Sequence, residues 1–403
     1  MSSRGDRGQA FGTLRSRPIR VLFVMDRLHE TGGTLYYLQM LPRLDPARVT
    51  PLLCAFAPWH PIANRFREVG IEPVFFGRKR WDPRCLTDVL RFARSSEADL
   101  LHVVGRTSFP FGRLGVHLAR RPTMLRFNCI LPLPRLKALW NRRLISRRWS
   151  AVAVSEAVRR WAIREFDISP DRIRLLHTAV DVDRFGTQPP GARDRIRGEF
   201  ALGDDTPVLG LVGRLDAAQK GQDLMIRTMA LLRARRPDAV LLLVGDGPDR
   251  ARLEALVHEV ALDEVVRFAG HRYDVADILA AVDVAVVPSV CEEALGFVAL
   301  EASGAGRPVV AFRSGGLPEV ILHGQTGIVV PKGDIAGLSE AIVRILDDPD
   351  LAKRFGEAGR RHAARFGLSR HVSEVMDFCE AVLEEHHHRE HRCSGTWREK
   401  PTR

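Results

Sequence analysis

Two acids, Glu293 and Glu301, stand eight positions apart in the run Pro288-Ser289-Val290-Cys291-Glu292-Glu293-Ala294-Leu295-Gly296-Phe297-Val298-Ala299-Leu300-Glu301. Eight positions is just over two helical turns. A helix that began at Glu293 would set both acids on roughly one face. A helix that begins near Gly296 leaves Glu293 in the preceding loop, pointing along the axis, with Glu301 reaching in from the first turns. An ionised carboxylate is an acceptor for hydroxyl groups, and the helix dipole favours an acid near a helix start. The alternative is one capping acid and one exposed acid. A second constellation is Gly213-Arg214-Leu215 followed by Lys220-Gly221. Glycines let a backbone approach a phosphate, a helix N-terminus favours anions, and Arg214 and Lys220 add two positive charges to one loop. A glycine turn with two solvated charges has the same sequence, and the loop is not of the Walker type.

Weaker signals surround these. Gly304-Ala305-Gly306-Arg307-Pro308-Val309-Val310-Ala311 reads as a helix stop and a buried strand, and Gly315-Gly316-Leu317-Pro318-Glu319 as a glycine loop with an acid. Gly245-Asp246-Gly247-Pro248 is half of a dinucleotide fingerprint, but Arg250 occupies the third glycine position, and Pro248 suits the first turn of a helix. His102 stands alone in a strand and reads as structural before it reads as chemical. His386, His387, His388 and His391 fall in a polar tail rather than a metal site. The six cysteines include no Cys-x-x-Cys pair, so neither a structural zinc nor a disulfide framework is expected, and a reducing cytosol fits.

The elements that must position these residues are legible as alternating β-branched runs and helical patterns, the signature of parallel βαβ units. Strands are expected at 19–25, 51–56, 73–76, 99–103, 123–127, 151–154 and 172–176, then at 208–212, 239–244, 265–269, 283–287, 308–311 and 327–330. Each half opens with an apolar strand, a glycine loop and a helix: Gly32-Gly33 in the first, the Gly213 loop in the second. The Gly-, Pro- and charge-rich run 186–206 reads as the linker. The expected fold is α/β, with one Rossmann-like domain over 18–190 and another over 205–366. A helix over 367–385 returns toward the first domain, and 386–403 is a polar, frayed tail. Two such sheets facing one another create a cleft at the carboxyl ends of their strands, where open α/β sheets bind ligands.

Composition limits the alternatives. With 403 residues, 45% hydrophobic and 27% charged, the chain is neither fibrous nor wholly disordered. No apolar run suggests a membrane span, and the Arg-rich first residues lack the apolar stretch of a secretory signal. The net charge of +12 is split: residues 1–200 hold 36 Lys and Arg against 18 Asp and Glu, and residues 201–403 hold 25 against 31. Such asymmetry points to an anionic partner of the first half. Arg135, Lys137, Arg142, Arg143, Arg147 and Arg148 alternate with Leu136, Leu139, Trp140, Leu144, Ile145 and Trp149 at helical spacing, and 101–150 contains no acid. A basic amphipathic helix with Trp suits a membrane interface; a core helix with a solvated face is the competing reading. No nucleic-acid module accompanies the charge, so nucleic acid is not expected as a partner.

Taken in order, Gly-Arg-Leu with its Lys, Gly-Asp-Gly-Pro, Pro-Ser-x3-Glu-x7-Glu-Ala, Gly-x-Pro-Val-Val-Ala and Gly-Gly-x-Pro-Glu resemble the family-four, group 1 retaining glycosyltransferases that use nucleotide sugars. The resemblance is dense over 205–345 and continues through Gly32-Gly33, Ala153-Val154-Ser155-Glu156 and 172–185. It implies the GT-B fold and no metal or other cofactor, with a nucleotide diphosphate sugar as co-substrate. Arg214 and Lys220 would hold the diphosphate at Gly213. Glu293 would contact the sugar hydroxyls, and the backbone of Leu295, Gly296 and Phe297 would face sugar or phosphate. Glu301 would hold the ribose, and His271-Arg272 would lie by the base. Gly32-Gly33 would approach from the other domain. Two positions depart from the family pattern. Thr178-Ala179-Val180-Asp181 stands for Asn-Gly-Val-Asp, and Asn128 replaces a His after the fifth strand, able to hydrogen-bond a hydroxyl but not to titrate. Asp181-Val182-Asp183 imitates a metal-binding Asp-x-Asp but falls in the family's Val-Asp-x3-Phe signature, so a turn is expected there. The implied enzyme is a hexosyltransferase acting on a hydroxyl of a cell-envelope glycan or lipid-linked acceptor, cytoplasmic or peripheral at the inner membrane face. A non-catalytic sugar-nucleotide-binding partner subunit and a GT-B epimerase are the alternatives.

Overall fold

In the computed structural model, residues 17–104, 110–131, 149–187 and 189–395 are described. They form two parallel sheets. The first has the order β3-β2-β1-β4-β5-β6-β7, with β1 Ile19–Met25, β2 Val49–Ala55, β3 Pro73–Phe75, β4 Leu100–Val104, β5 Thr123–Phe127, β6 Trp149–Ala153 and β7 Ile173–Leu175. The second has the order β10-β9-β8-β11-β12-β13, with β8 Val208–Val212, β9 Val240–Val244, β10 Val266–Gly270, β11 Val284–Val287, β12 Val309–Phe312 and β13 Gly327–Val330. Strands such as β9 and β11 are apolar and buried along their whole length. That pattern belongs to parallel sheets covered by helices on both faces. In each sheet the order reverses beside the first strand, between β1 and β4 and between β8 and β11. The loops after these strands therefore flank a crevice at the carboxyl edge.

Each sheet divides its own core. Val21, Phe23 and Met124 pack on one face of the first sheet, and Leu22, Leu101 and Leu125 on the other. The second sheet does the same with Leu209, Leu241 and Phe312 on one side and Ala285, Val309 and Ala311 on the other. The chain passes between domains twice, and the two crossings lie side by side, joined by a bridge between Val180 and Gly367. After the second crossing, the helix Leu368–Gly395 buries Leu368, Val372, Val375 and Cys379 in the first domain's core. Arg48 grips it through Asp377 and Glu380.

Two expected boundaries need correction. The 186–206 run is not a plain linker, because it contains the helix Ala192–Glu199. That helix buries Ile196 against the second sheet, and Arg197 donates to Asp283 at the start of β11 at 2.8 Å. A charged run masked its two buried apolar residues, Ala192 and Ile196. The last helix also continues to Gly395 rather than fraying at 386.

Candidate functional site

The loops after β8 and β11 are built to touch. Gly221 has φ +69°, and a Cβ there would lie 2.1 Å from the Pro288 carbonyl oxygen. Only glycine tolerates both the conformation and the approach. Val290 and Cys291 donate their N–H groups to the Gln219 carbonyl at 3.0 and 3.1 Å. Lys220, at the end of the short helix Ala217–Lys220, consequently reaches across: its Nζ donates to Glu293 Oε1 at 2.5 Å. Ser289 Oγ donates to the same oxygen at 2.6 Å. Glu293 lies in the loop before the helix Phe297–Gly304, and the Gly315-Gly316 loop braces it from behind. Gly316 N–H donates to the Glu293 carbonyl at 2.8 Å. Gly315, at φ +47°, leaves room for that carbonyl where a Cβ would lie 1.9 Å away. Glu292 is turned elsewhere, pairing with Lys332 and accepting from Gly315 N–H at 2.6 Å.

Beside this pair, the helix Phe297–Gly304 opens on Gly296. Its first N–H groups have no intrahelical acceptor, and with the dipole they favour an anion. Leu295 sends its side chain into the core, so only its backbone is available at the cleft. Gly32, at the start of the helix Gly32–Met40, faces this helix across the cleft: a Cβ on Gly32 would lie 3.1 Å from Phe297 Cδ2. Arg214 is exposed. Glu301 is partly buried on the same helix. Burial pushes its carboxyl up to about 7 against the opposing pull of Arg184.

The remaining sequence-derived residues are more dispersed. His271 Nε2 lies 3.7 Å from Glu30 of the first domain, and Tyr273 donates to the same carboxylate at 3.3 Å. The loop after β10 thus meets the loop after β1. The Arg272 side chain is engaged with Glu199 and Asp274, which leaves its backbone rather than its guanidinium beside the cleft loop. Asn128 is partly exposed directly after β5. His102 is buried, 3.3 Å from Tyr37 Oη, in keeping with a structural role. Asp181 caps the helix Val182–Gly186 and pairs with Arg43, which accounts for the Asp-x-Asp imitation as a turn. The basic stretch from Arg135 to Arg148 lies outside the described residues.

Sequence reasoning read Glu319 only as the acid of a glycine loop, without its partners, and missed His29 and His60. Glu319 reaches into the first domain, where His177 also meets it. His29 and His60, in the loops after β1 and β2, stack edge to face with ring centroids 5.3 Å apart. Burial, with the charges of Arg27 and His60, lowers the His29 pKa. Each of these pairs joins distant loops, so spacing along the chain carried no signal.

Residues 192–362 match the family described as Glycosyl transferases group 1, and residues 31–184 match Glycosyltransferase Family 4. The chain is 31% identical over 257 residues to a D-inositol 3-phosphate glycosyltransferase of Saccharomonospora viridis, covering 61% of this chain and 58% of that one. It is 39% identical over 196 residues to a GDP-mannose-dependent alpha-(1-6)-phosphatidylinositol monomannoside mannosyltransferase of Mycolicibacterium smegmatis, covering 47% and 50%. The chain thus spans little more than half the length of these relatives. Among solved structures, Anabaena HepE in complex with UDP superposes with a TM-score of 0.81 at 20% identity, over 90% of this chain and all of that one. The lipopolysaccharide glycosyltransferase WaaG superposes with 0.68 at 20% identity, over 89% and 99%. Two Rossmann-like domains facing across a cleft, with the Lys220–Glu293 pair on the second of them, together with these matches, establish that the chain belongs to the group 1, family-four glycosyltransferases of the GT-B fold.

Proposed function

We propose that this protein transfers a sugar from a nucleotide diphosphate sugar to an acceptor hydroxyl with retention of the anomeric configuration and without a metal ion. The observation that carries the reading is the Lys220–Glu293 contact, with Ser289 on the same carboxylate oxygen, beside the open start of the helix Phe297–Gly304. Breaking the bond between the anomeric carbon and the diphosphate leaves negative charge on the phosphate and positive character on the sugar. Lys220, Arg214 and the helix amides would answer the first, since pre-oriented charge is most effective there. On donor binding, Lys220 turns from Glu293 to the phosphate, and Glu293 exchanges the ammonium for sugar hydroxyls. Glu301 takes the ribose, and His271 with the Arg272 backbone flanks the base. Gly32 and Gly33 close from the other domain, where Asn128 meets the acceptor.

The names of the relatives bear on the acceptor. Two act on inositol compounds bearing phosphate, and the excess of positive charge in residues 1–200 suits such an anionic acceptor. We place it among cell-envelope glycolipids met at the cytoplasmic membrane face. No described helix is long and apolar enough to cross a membrane.

A thermal-shift screen with GDP-mannose and UDP-glucose, followed by transfer to phosphatidylinositol in EDTA, tests the reading. One donor raises the melting temperature, because a ligand stabilises the state it binds, and transfer survives the chelator. Loss of transfer in EDTA with restoration by manganese would remove Arg214 and Lys220 as the neutralising charges.

A further inference from the structure

One contact between the domains is neither part of the donor pair nor on the cleft rim. Glu319 lies on the one-turn helix Leu317–Val320, directly after the Gly315-Gly316 loop that braces Glu293. Its carboxylate enters the other domain. Oε2 accepts from the N–H of Glu156 at 2.8 Å, and Oε1 accepts from the N–H of Ala157 at 2.9 Å. These are the first amides of the helix Glu156–Phe166, which an intrahelical bond cannot satisfy. Ser155 Oγ accepts from Val158 N–H at 3.1 Å and satisfies a third. A carboxylate at a helix N-terminus also gains from the dipole. His177 Nε2 lies 3.2 Å from Oε2. The His177 ring is seated edge to face on Phe366, at 5.1 Å. His362 holds the other end, its Nε2 3.0 Å from the Glu319 carbonyl oxygen. Burial raises the Glu319 pKa, but His177 and the two amides outweigh it and hold the carboxyl below its ordinary value.

The position matters as much as the bonds. The helix Glu156–Phe166 starts right after β6, and Val154 N–H donates to the carbonyl of Phe127 at 3.2 Å. The amides that Glu319 holds are therefore beside Asn128, on the acceptor wall. On its other side, Glu319 is three residues from Gly316, whose N–H donates to the Glu293 carbonyl. One short path links the donor carboxylate to the acceptor wall. The Glu30 contacts with His271 and Tyr273 are exposed, and exposed pairs contribute little.

We propose that Glu319 is a positioning residue, a carboxylate clamp that binds the acceptor-domain helix Glu156–Phe166 and so sets the separation between Glu293 and the acceptor. This rests on the reading of the cleft as a donor site facing an acceptor site. The test uses the full chain carrying Glu319→Gln or Glu319→Ala, with circular dichroism to verify folding. A side-chain amide can accept one of the two N–H bonds but presents its own N–H₂ to the other, so Glu319→Gln gives the intermediate effect. Glu319→Ala lowers turnover in transfer at least tenfold and changes the apparent affinity for the donor probe, GDP-mannose or UDP-glucose, by less than twofold. The partition of donor between transfer and hydrolysis moves toward hydrolysis, which a loss of stability alone would not do. Small-angle scattering of the ligand-free protein, independent of any activity, shows a larger radius of gyration for Glu319→Ala. An unchanged radius of gyration overturns the clamp, even if the chain proves not to transfer sugar at all. So does an unchanged partition in a wild type that does transfer. Failure of both variants to fold also overturns it, since each domain has its own core and a positioning contact is not needed to form either. A wild type that neither binds nor transfers, with a variant that opens, leaves the clamp standing and removes the donor-site reading instead.

Discussion

The two walls of the cleft manage charge differently. On the proposed donor wall, Glu293 is paired with Lys220, and the pair is open enough, with Lys220 33% exposed, for an incoming anion to exchange partners. Behind the proposed acceptor wall, Arg126 is only 2% exposed. Its Nη2 donates to Thr178 Oγ1 at 2.9 Å, and its guanidinium lies 4.7 Å from the Tyr36 ring centroid, with no carboxylate partner among the described residues. The histidines around it are kept neutral: burial, reinforced by Arg126 and His177, lowers His371 to about 3. His371 Nε2 and Tyr36 Oη share a hydrogen bond of 2.6 Å. An exchangeable ion pair suits a surface that, as proposed, accepts a diphosphate and releases it. A buried cation among neutral hydrogen-bonding groups, under the point where the chain crosses between domains, suits a fixed frame. Arg126 thus serves the frame without a charged partner, whereas Lys220 is held by a partner it can exchange; pairing alone does not mark function, since Arg48 with Asp377 and Glu380 braces the frame as well.

The sharpest way to break the contrast is at Lys220. If its ammonium passes from Glu293 to the departing diphosphate, Lys220→Ala should lower turnover by about a hundred- to a thousandfold, the loss typical of removing one pre-oriented electrostatic group. The donor should still bind through Arg214 and the helix amides. Retained turnover would make the pair a structural ion pair like those elsewhere on the surface.

A smaller effect separates Glu301, on the helix Phe297–Gly304, from Glu293 in the loop before it. Glu301, raised to about 7 by burial, is partly protonated at neutral pH in the free protein. If it accepts ribose hydroxyls as a carboxylate, donor affinity measured by calorimetry should rise about tenfold from pH 6 to pH 8, and Glu301→Gln should abolish that rise. The linkage to stability has the opposite sign. The folded state holds a proton that the unfolded state releases between about 4.5 and 7, so ionising Glu301 destabilises the free protein as pH rises through that window. Glu301→Gln should therefore be more stable than wild type at pH 8. A pH-independent donor affinity would remove Glu301 from the ribose.

A third test concerns the frame and is read in stability rather than rate. His371 is neutral when folded and takes up a proton when unfolded, so its contribution is lost as pH falls from about 6.5 toward 3. His371→Gln keeps a hydrogen-bonding group for Tyr36. It should reduce the acid-side loss in urea titrations by about 1.4 kcal/mol for each pH unit in that window. An unaltered slope would mean that the charge environment of Arg126 does not constrain the frame.

The loops of the proposed donor wall were readable from the sequence because each is a short motif at the end of an apolar strand, although the Lys220–Glu293 contact itself spans 73 positions. Lys220, Ser289, Glu293 and the glycines belong to strand–loop–helix units whose apolar strands fix their register, and the ordered motifs gave the family. The proposed acceptor wall was less readable for physical reasons. The Glu319 contacts span 142 to 163 positions and exist only once two separately built domains meet. Arg126 falls within an apolar strand, and nothing in 123–127 shows that its side chain runs under Tyr36 rather than to solvent. The helix Ala192–Glu199 was read as linker because its two buried apolar residues, Ala192 and Ile196, stand in a charged run.

The central claim is that Glu293, placed by Lys220 and Ser289, orients the transferred sugar. Single-turnover transfer by Glu293→Ala beside Glu292→Ala tests it most directly, because the two acids are neighbours with different partners. Charge-assisted hydrogen bonds contribute about 1.5–3 kcal/mol each, and mispositioning alone can cost on the order of a hundredfold in rate. Glu293→Ala should slow transfer by about a hundredfold or more while remaining folded, and Glu292→Ala, which breaks the surface contact with Lys332, should stay within about twofold of wild type. An essential Glu292 with a dispensable Glu293 would contradict the account and remove the donor site built on it.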